Sequence, residues 1–227
     1  MIGCRFPNRF ARVTLDMSPP LTADLIADRS VVAESPERSV AQRVVGITGE
    51  QFDDMAAAGA FDRLAAGKIE LIEGNIRVMS PAGPIHDDHV DFIQEWSHAS
   101  RTPDEFRIRV QCGIACDDDR PEPDIAWLSP GRYLDRRPAA SDVHLLIEVA
   151  DSSLADDLQL KADLYAAAGI REYWIVDVPN RRIHVLAKPK DGTFTDIRIV
   201  PRGGAVSPMC KPEATLDTGE LFVAPER

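Results

Sequence analysis

The sequence predicts an α/β (α+β) fold, and three stretches of the 227-residue chain carry this prediction. Residues 145–177 follow a strand–helix–strand pattern. Residues 68–79 and 182–199 each place alternating apolar and polar positions on both sides of a turn, which is typical of antiparallel hairpins. Hydrophobic residues make up 44% of the chain, which is enough for one domain with a sizeable core.

Three parts are expected along the chain. Residues 1–45 are polar, contain four prolines and show no sustained periodicity, so we predict a poorly ordered leader. Residues 46–222 form the single predicted domain, and residues 223–227 form a frayed tail. The domain begins at a capping box, in which Thr48 is followed three residues later by Gln51.

The first hairpin is predicted over residues 68–79, with its turn at 73–75. Glu70 shares a strand face with Ile72, which allows an inward orientation, but an edge position in solvent is the expectation. A helix is then predicted from residue 85 to 97, with His86 and His89 near its first turn. Their spacing allows both to contact one ligand, yet no third ligand is near, so His86 is expected to be exposed or to cap the helix.

Residues 106–115 predict one long strand, with Arg107 and Arg109 on its polar face. Because Pro123 has no amide hydrogen for a sheet, the next strand is expected to open at Asp124. A loop follows over residues 129–141. Beyond the central stretch we expect two antiparallel strands joined by a turn at 191–192, and a closing strand and turn between residues 205 and 222.

The helix of the central stretch is predicted to begin near Ser153, whose hydroxyl would cap it, and to end at Gly169. The flanking strands are residues 145–149, which carry one carboxylate, and residues 172–177, which are rich in aromatic and β-branched side chains.

One lysine lies on the apolar side of this helix. A rotation of about 100° per residue aligns Lys161 with Leu154, Leu158 and Tyr165. A lysine in that position extends to solvent, pairs with a carboxylate or takes part in chemistry. The purely structural interpretation is an ion pair between Lys161 and Asp157, four residues earlier.

Charge and cysteine content exclude some classes of protein. The net charge of −11 argues against a broad basic surface for nucleic acid, although a local basic groove or an acidic metal site is compatible with it. Cys112 and Cys116 have no second pair of ligands, so we expect reduced thiols of a cytoplasmic protein in one strand and no zinc site. No apolar run has membrane-spanning length, and no signal-peptide core is present, so no membrane partner is expected.

Two carboxylates stand near the ends of predicted strands, Asp124 and Glu148. If these strands pair, the two groups meet within a few ångströms, and a divalent cation would compensate their repulsion. Oxygen ligands suit Mg²⁺ or Mn²⁺. Lys161 can reach the same place from the following helix and orient a water or stabilise phosphoryl charge. Acids at strand ends are usually solvated, so the spacing alone does not decide the function.

A set of motifs in a fixed order resembles the Uma-type restriction endonuclease family, a branch of the PD-(D/E)XK nuclease superfamily. The resemblance covers roughly residues 48–200. The motifs that carry it are Glu70–Gly74, His86, Pro123–Asp124, Ile147–Val149, Lys161, Tyr165 and Gly169–Asp177.

The resemblance implies a mixed β-sheet flanked by helices, with a restriction-endonuclease-like core and a metal-dependent nuclease site. By the same resemblance Asp124 is the metal-binding aspartate, Glu148 the second acid, and the carbonyl of Val149 a further ligand. Glu70 resembles an upstream acid that binds the metal or a water. His86 matches the family pattern without an assigned role.

The chain departs from the superfamily at the lysine, which normally follows the second acid by two residues. Ala150 occupies that position here, and the family uses a lysine from the next helix, which points to Lys161. The resulting hypothesis is an Mg²⁺-dependent endonuclease that hydrolyses phosphodiester bonds of DNA. Arg107 and Arg109 are candidates for contact with the phosphate backbone of the DNA.

Two alternatives stay open from the sequence. One is a catalytically inactive nuclease-fold module that acts in nucleic-acid binding or defence-associated interactions. The other is a metal-dependent phosphoesterase acting on small molecules. A homodimer is expected from the way nucleases cut both strands, and no residue pattern indicates it.

Overall fold

A six-stranded sheet forms the centre of this computed structural model, which describes residues 46–64, 67–102 and 104–223. The predicted leader, and the tail beyond residue 223, lie outside the described residues. The strands are β1 (Ile69–Ile72), β2 (Asn75–Val78), β3 (Arg107–Val110), β4 (Ile125–Leu128), β5 (Val143–Ala150), β6 (Glu172–Asp177), β7 (Arg182–Lys190), β8 (Thr193–Pro201), β9 (Ala205–Val206) and β10 (Leu216–Asp217). The helices are α1 (Gly49–Ala57), α2 (Pro84–Ser100), α3 (Leu154–Asp156), α4 (Ala162–Ala167) and α5 (Thr218–Leu221).

The sheet runs in the order β3-β4-β5-β6-β7-β8 and is mixed. β5 and β6 are parallel, and every other neighbouring pair in this sheet is antiparallel. A parallel pair requires a crossover connection, which is supplied by the helical segment 154–167. The predicted mixed sheet flanked by helices is therefore confirmed, and the predicted strand at residues 172–177 matches β6.

Helices cover the two faces of the sheet with separate apolar clusters. On one face α2 contributes Val90 and Ile93, which pack against the sheet residues Trp127 and Trp174. A hydrogen bond fixes this helix, because the Nε1–H of fully buried Trp127 donates to Ser97 Oγ at 2.9 Å. On the other face the helical segment 154–167 packs its inner side against β5, β6 and β7. α2 and segment 154–167 therefore approach the same end of β5 from opposite faces.

The hairpin of β1 and β2 is a separate two-stranded sheet. Glu73 and Gly74 form its turn at φ angles of 51° and 72°, the left-handed values that a two-residue hairpin turn requires. Backbone hydrogen bonds between Leu71 and Arg120, at 2.8 and 3.3 Å, fasten the hairpin to the segment that precedes β4. The predicted hairpin is confirmed, with Asn75 in a strand and not in the turn.

Two other predictions about local structure are confirmed. Thr48 and Gln51 form the expected capping box at the start of α1. Asp191 and Gly192 form the expected hairpin turn between β7 and β8, with φ angles of 52° and 78°.

The expected long strand over residues 106–115 is wrong. β3 ends at Val110 because Gln111 adopts a φ of 46°, a left-handed value that interrupts a strand. Cys112 and Cys116 therefore do not lie in one strand, although both are free thiols as expected. Within the described residues, no helix is long and apolar enough to cross a membrane.

Candidate active site

An open pocket of about 600 Å³ lies where β4 begins and β5 ends. Its walls come from the β1–β2 hairpin, the start of α2, and residues 151–161 of the crossover. The walls contain eight carboxylate side chains but only three side chains of lysine or arginine. Such an acidic pocket repels a phosphate unless a further cation is present. The carboxylates are Glu70, Asp87, Glu122, Asp124, Glu148, Asp151, Asp156 and Asp157.

Asp124 is brought into this pocket by the residue before it. Pro123 lacks an amide hydrogen, and β4 starts directly after Asp124, so the carboxylate stands at the open end of the strand. The side chain is almost fully buried, and its Oδ2 accepts a hydrogen bond from the Val149 amide at 2.8 Å. Burial alone would raise the pKa of Asp124, but the hydrogen bond with His86 and the charge of Lys68 outweigh it and hold this pKa well below its usual value.

Glu148 faces Asp124 from the neighbouring strand. Ile125 pairs with Ile147, and the Asp124 amide donates to Glu148 Oε2 at 3.3 Å. The Tyr165 hydroxyl donates to the other oxygen, Oε1, at 3.1 Å. Burial raises the pKa of Glu148 to about 8, although the charges of nearby lysines oppose this shift. The predicted meeting of two carboxylates from paired strands is therefore present.

Lys161 is buried at the centre of the carboxylates. Its Nζ lies 2.8 Å from Glu148 Oε1, 3.2 Å from Glu70 Oε1 and 4.0 Å from Asp157 Oδ1. Burial alone would lower the pKa of Lys161, but the three carboxylates outweigh it and raise this pKa, so the side chain is an ammonium. The pair with Asp157, the purely structural interpretation, is the longest of the three contacts.

The helix that carries Lys161 is not a regular α-helix. Residues Asp157–Lys161 form a π-helical turn between α3 and α4, a feature that occurs frequently at functional sites. Asp157 and Lys161 are both buried, whereas Leu154 and Leu158 are only partly so. The predicted cap at Ser153 is wrong, because its hydroxyl donates to Asp157 Oδ2 at 2.5 Å and makes no cap hydrogen bond.

Glu70 lies inside the cluster, and its expected position in solvent is wrong. The side chain is 1% exposed, and Oε1 accepts a hydrogen bond from the Glu122 amide at 2.7 Å as well as contacting Lys161. The segment around Glu122 covers the hairpin face on which Glu70 stands. Periodicity identified that face, but the covering segment is some 50 residues away in sequence.

His86 also lies at the pocket, and its expected exposed or capping position is wrong. Gly83 is the residue that precedes the first turn of α2, and no side chain caps it. His86 Nε2 lies 3.2 Å from Asp124 Oδ2, while Nδ1 lies 3.3 Å from Asp87 Oδ1. The hydrogen bond with Asp124 is the largest cause that raises the pKa of His86. The contact with Asp124 therefore favours the protonated, positively charged form of this imidazole.

Lys68 also lines the pocket, although it is not among the site residues predicted from the sequence. Its Nζ lies 2.5 Å from Asp124 Oδ1 and 3.1 Å from the carbonyl of Glu122. A signal was present, because Lys68 and Glu70 are two residues apart and therefore share one face of a strand. Arg107 and Arg109 do not line the pocket as it is formed by the described residues.

The oxygen atoms of the two acids fit a small divalent cation. A carboxylate oxygen has about two lone-pair sites. Asp124 Oδ2 contacts Val149 and His86, and Glu148 Oε1 contacts Lys161 and Tyr165. Asp124 Oδ1 and Glu148 Oε2 each accept one hydrogen bond and keep one lone pair.

A backbone oxygen completes the candidate donor set. The amide of Val149 points toward Asp124, and the amide and carbonyl of one strand residue point to the same side, so this carbonyl faces the pocket too. Across the described ranges, no group of three or more His, Cys, Asp or Glu side chains is placed to hold a metal. A set of two carboxylates and one carbonyl suits Mg²⁺, because this ion commonly keeps several of its waters and binds only one or two carboxylates.

Comparisons with known proteins found similarity to proteins that are described as nucleases. A family model named Uma2 and described as "Putative restriction endonuclease" matches residues 50–219. A crystal structure from Anabaena variabilis, described as a putative nuclease belonging to DUF820, is similar with a TM-score of 0.62 and 18% identity. The similarity covers 78% of this chain and 97% of that one, and at this identity it shows the fold. No curated protein matches the chain.

Replacing Lys161 with methionine tests the buried cluster. We expect Lys161→Met to lower the free energy of unfolding in EDTA by about 3–5 kcal/mol, because it leaves buried carboxylates without their cation. Chemical denaturation measures the change. Lys188→Met is the control, since this lysine pairs with Asp196 at the surface and should change stability by less than about 1 kcal/mol. Equal stabilities for the wild type and Lys161→Met would show that Lys161 does not compensate the charge of the buried carboxylates.

Proposed function

The chain belongs to the Uma2 family, described as "Putative restriction endonuclease", and from this premise we propose that it is a metal-dependent endonuclease that hydrolyses phosphodiester bonds of DNA. One observation carries the proposal: Asp124 and Glu148 meet across two paired strands, and the Lys161 ammonium lies on Glu148 in an open pocket. Asp124 and Glu148, with the carbonyl of Val149, would hold Mg²⁺ or Mn²⁺.

When bound, such an ion supplies positive charge that stabilises phosphoryl oxygens and lowers the pKa of a water. The acidity of the pocket supports the need for it, because eight carboxylates otherwise oppose the approach of a phosphate.

Lys161 acts in this proposal as a fixed ammonium and not as a base. Its raised pKa keeps the proton on Nζ at neutral pH. An ammonium has three N–H donors, and two of them reach carboxylate oxygens, of Glu148 and Glu70, within hydrogen-bond distance. Asp157 at 4.0 Å is beyond that distance, which leaves one donor for the attacking water or a phosphate oxygen.

The remaining residues orient these groups. Glu70 and Tyr165 restrict the positions of Lys161 and Glu148, and preorganised dipoles of this kind contribute most when charge develops in the transition state. His86, from α2, forms a hydrogen bond with Asp124 Oδ2 and so helps to fix this carboxylate. The expected homodimer and cytoplasmic location stay predictions.

A specific observation also favours an inactive nuclease-fold module as the second candidate. All four oxygens of Asp124 and Glu148 accept hydrogen bonds from the chain itself, and two of the donors are ammonium groups. A pocket whose carboxylates are already compensated in this way is stable without an ion. Activity measurements separate the two candidates.

Nicking of supercoiled plasmid DNA in Mg²⁺ tests the proposed reaction. We expect nicking by the wild type, and a loss of at least about a hundredfold in Asp124→Asn, Glu148→Gln and Lys161→Ala, because each removes a group that contacts the ion or the developing charge. Gel electrophoresis over time gives the rates.

The matched control for nicking is Asp91→Asn, which changes an exposed carboxylate of α2 outside the pocket and should keep the wild-type rate. Thermal melts establish that each variant is folded. A wild type that does not nick would favour the inactive module, and variants as active as a nicking wild type would rule out the proposed reaction at this site.

The affinity for Mg²⁺ should depend on pH through Glu148. Its pKa of about 8 in the ion-free protein means that below this pH a proton occupies the carboxyl and competes with the ion. Affinity should rise by up to about tenfold per pH unit below 8 and level off above it. Isothermal titration calorimetry at several pH values measures this slope. Glu148→Gln should abolish it, and a wild-type affinity that is flat with pH would contradict the assignment.

A further inference from the structure

Lys68 lies in contact with the carboxylate oxygen that the proposed ion would use. Its Nζ is 2.5 Å from Asp124 Oδ1 and 3.1 Å from the Glu122 carbonyl. Asp124 Oδ2 is already occupied by the Val149 amide and His86, so Oδ1 is the oxygen with a lone pair to offer. An ion arriving at Oδ1 therefore meets an ammonium on the same atom, and two cations that close repel each other.

The two pocket lysines are held differently. Lys161 contacts three carboxylates and its side chain is 9% exposed. Lys68 contacts one carboxylate and one carbonyl, and its side chain is 18% exposed. Fewer charged contacts and greater exposure make Lys68 the ammonium that moves more easily, and its four-carbon stem allows it to do so.

We propose that Lys68 is a built-in counter-ion, which neutralises Asp124 while the protein is ion-free and is displaced when a divalent cation binds. This inference rests on the proposed function, because it requires an ion at Asp124. His86 and the Val149 amide contact Oδ2 of this buried carboxylate, and Lys68 supplies the partner of Oδ1 in the ion-free pocket. The contact stabilises the ion-free state alone, and any such contact weakens the apparent affinity for the ion.

Calorimetric titration of Mg²⁺ or Mn²⁺ into EDTA-treated protein tests the competition. We expect Lys68→Met to bind the ion at least about tenfold more tightly than the wild type, because a hydrogen bond between charged groups no longer opposes binding. The same variant should be less stable without the ion, since Asp124 loses a partner. A merely structural lysine would lower stability and leave the ion affinity unchanged or weaker, and that result would overturn the proposal.

Two controls separate displacement from a general change of charge. Arg77→Met removes another positive charge from the pocket wall, but Arg77 pairs with exposed Asp156 and not with Asp124. It should change the ion affinity much less than Lys68→Met, and an equal gain would overturn the proposal. Lys211→Met removes a lysine that pairs with Glu105 outside the pocket, and it should leave the affinity unchanged.

Chemical labelling of the wild type gives a readout that needs no variant. Acetylation of Lys68 by acetic anhydride, followed by mass spectrometry, should increase several-fold when Mg²⁺ is added, while exposed Lys190 reports the intrinsic rate. No increase at ion concentrations where calorimetry shows binding would overturn the displacement alone. A wild type that binds no divalent ion, or binds it as well as Asp124→Asn does, would overturn the metal site and the role of Lys68 together.

Discussion

Charge balance in the buried cluster around Lys161 is the constraint on which the rest of the site depends. Four carboxylates, none more than 3% exposed, stand close to two lysine ammonium groups. Removing such groups from water is costly unless each finds an opposite charge, and the two lysines, together with His86 beside Asp124, are fewer than the four carboxylates. Burial raises the pKa of Glu148 and so favours a proton there, and a divalent cation would take the place of that proton. The four carboxylates are Glu70, Asp124, Glu148 and Asp157.

The fold assembles this cluster from four segments that are distant in sequence. The hairpin supplies Lys68 and Glu70, adjacent strands supply Asp124 and Glu148, and the π-helical turn supplies Lys161. Antiparallel pairing of β4 with β5 sets the distance between the two acids, and the backbone amide beside each acid binds the other. Because backbone atoms make these bonds, the position of the acids is determined by the sheet itself. The helical crossover from β5 to parallel β6 then brings Lys161 to the place where β4 begins and β5 ends.

Much of this arrangement could be predicted, and each failure has a physical cause. The strand–helix–strand stretch, the capping box at Thr48 and the turn at 191–192 follow from residue types that act on their own neighbours. The meeting of Asp124 and Glu148 followed from strand pairing. Periodicity shows which face a side chain takes but not what covers it, so the burial of Glu70 escaped prediction. The left-handed Gln111 and the π-helical turn carry no distinct sequence signal, because neither uses glycine or proline.

Anomalous diffraction from crystals soaked in Mn²⁺ tests most directly whether the two acids and the Lys161 ammonium form one ion-binding centre. We expect a peak in the pocket within about 2.0–2.6 Å, the range for hard cations, of oxygens of both Asp124 and Glu148, with Lys161 still bound to Glu148. Density without a peak at these oxygens, with both carboxylates bound only to lysines at saturating Mn²⁺, would contradict this expectation.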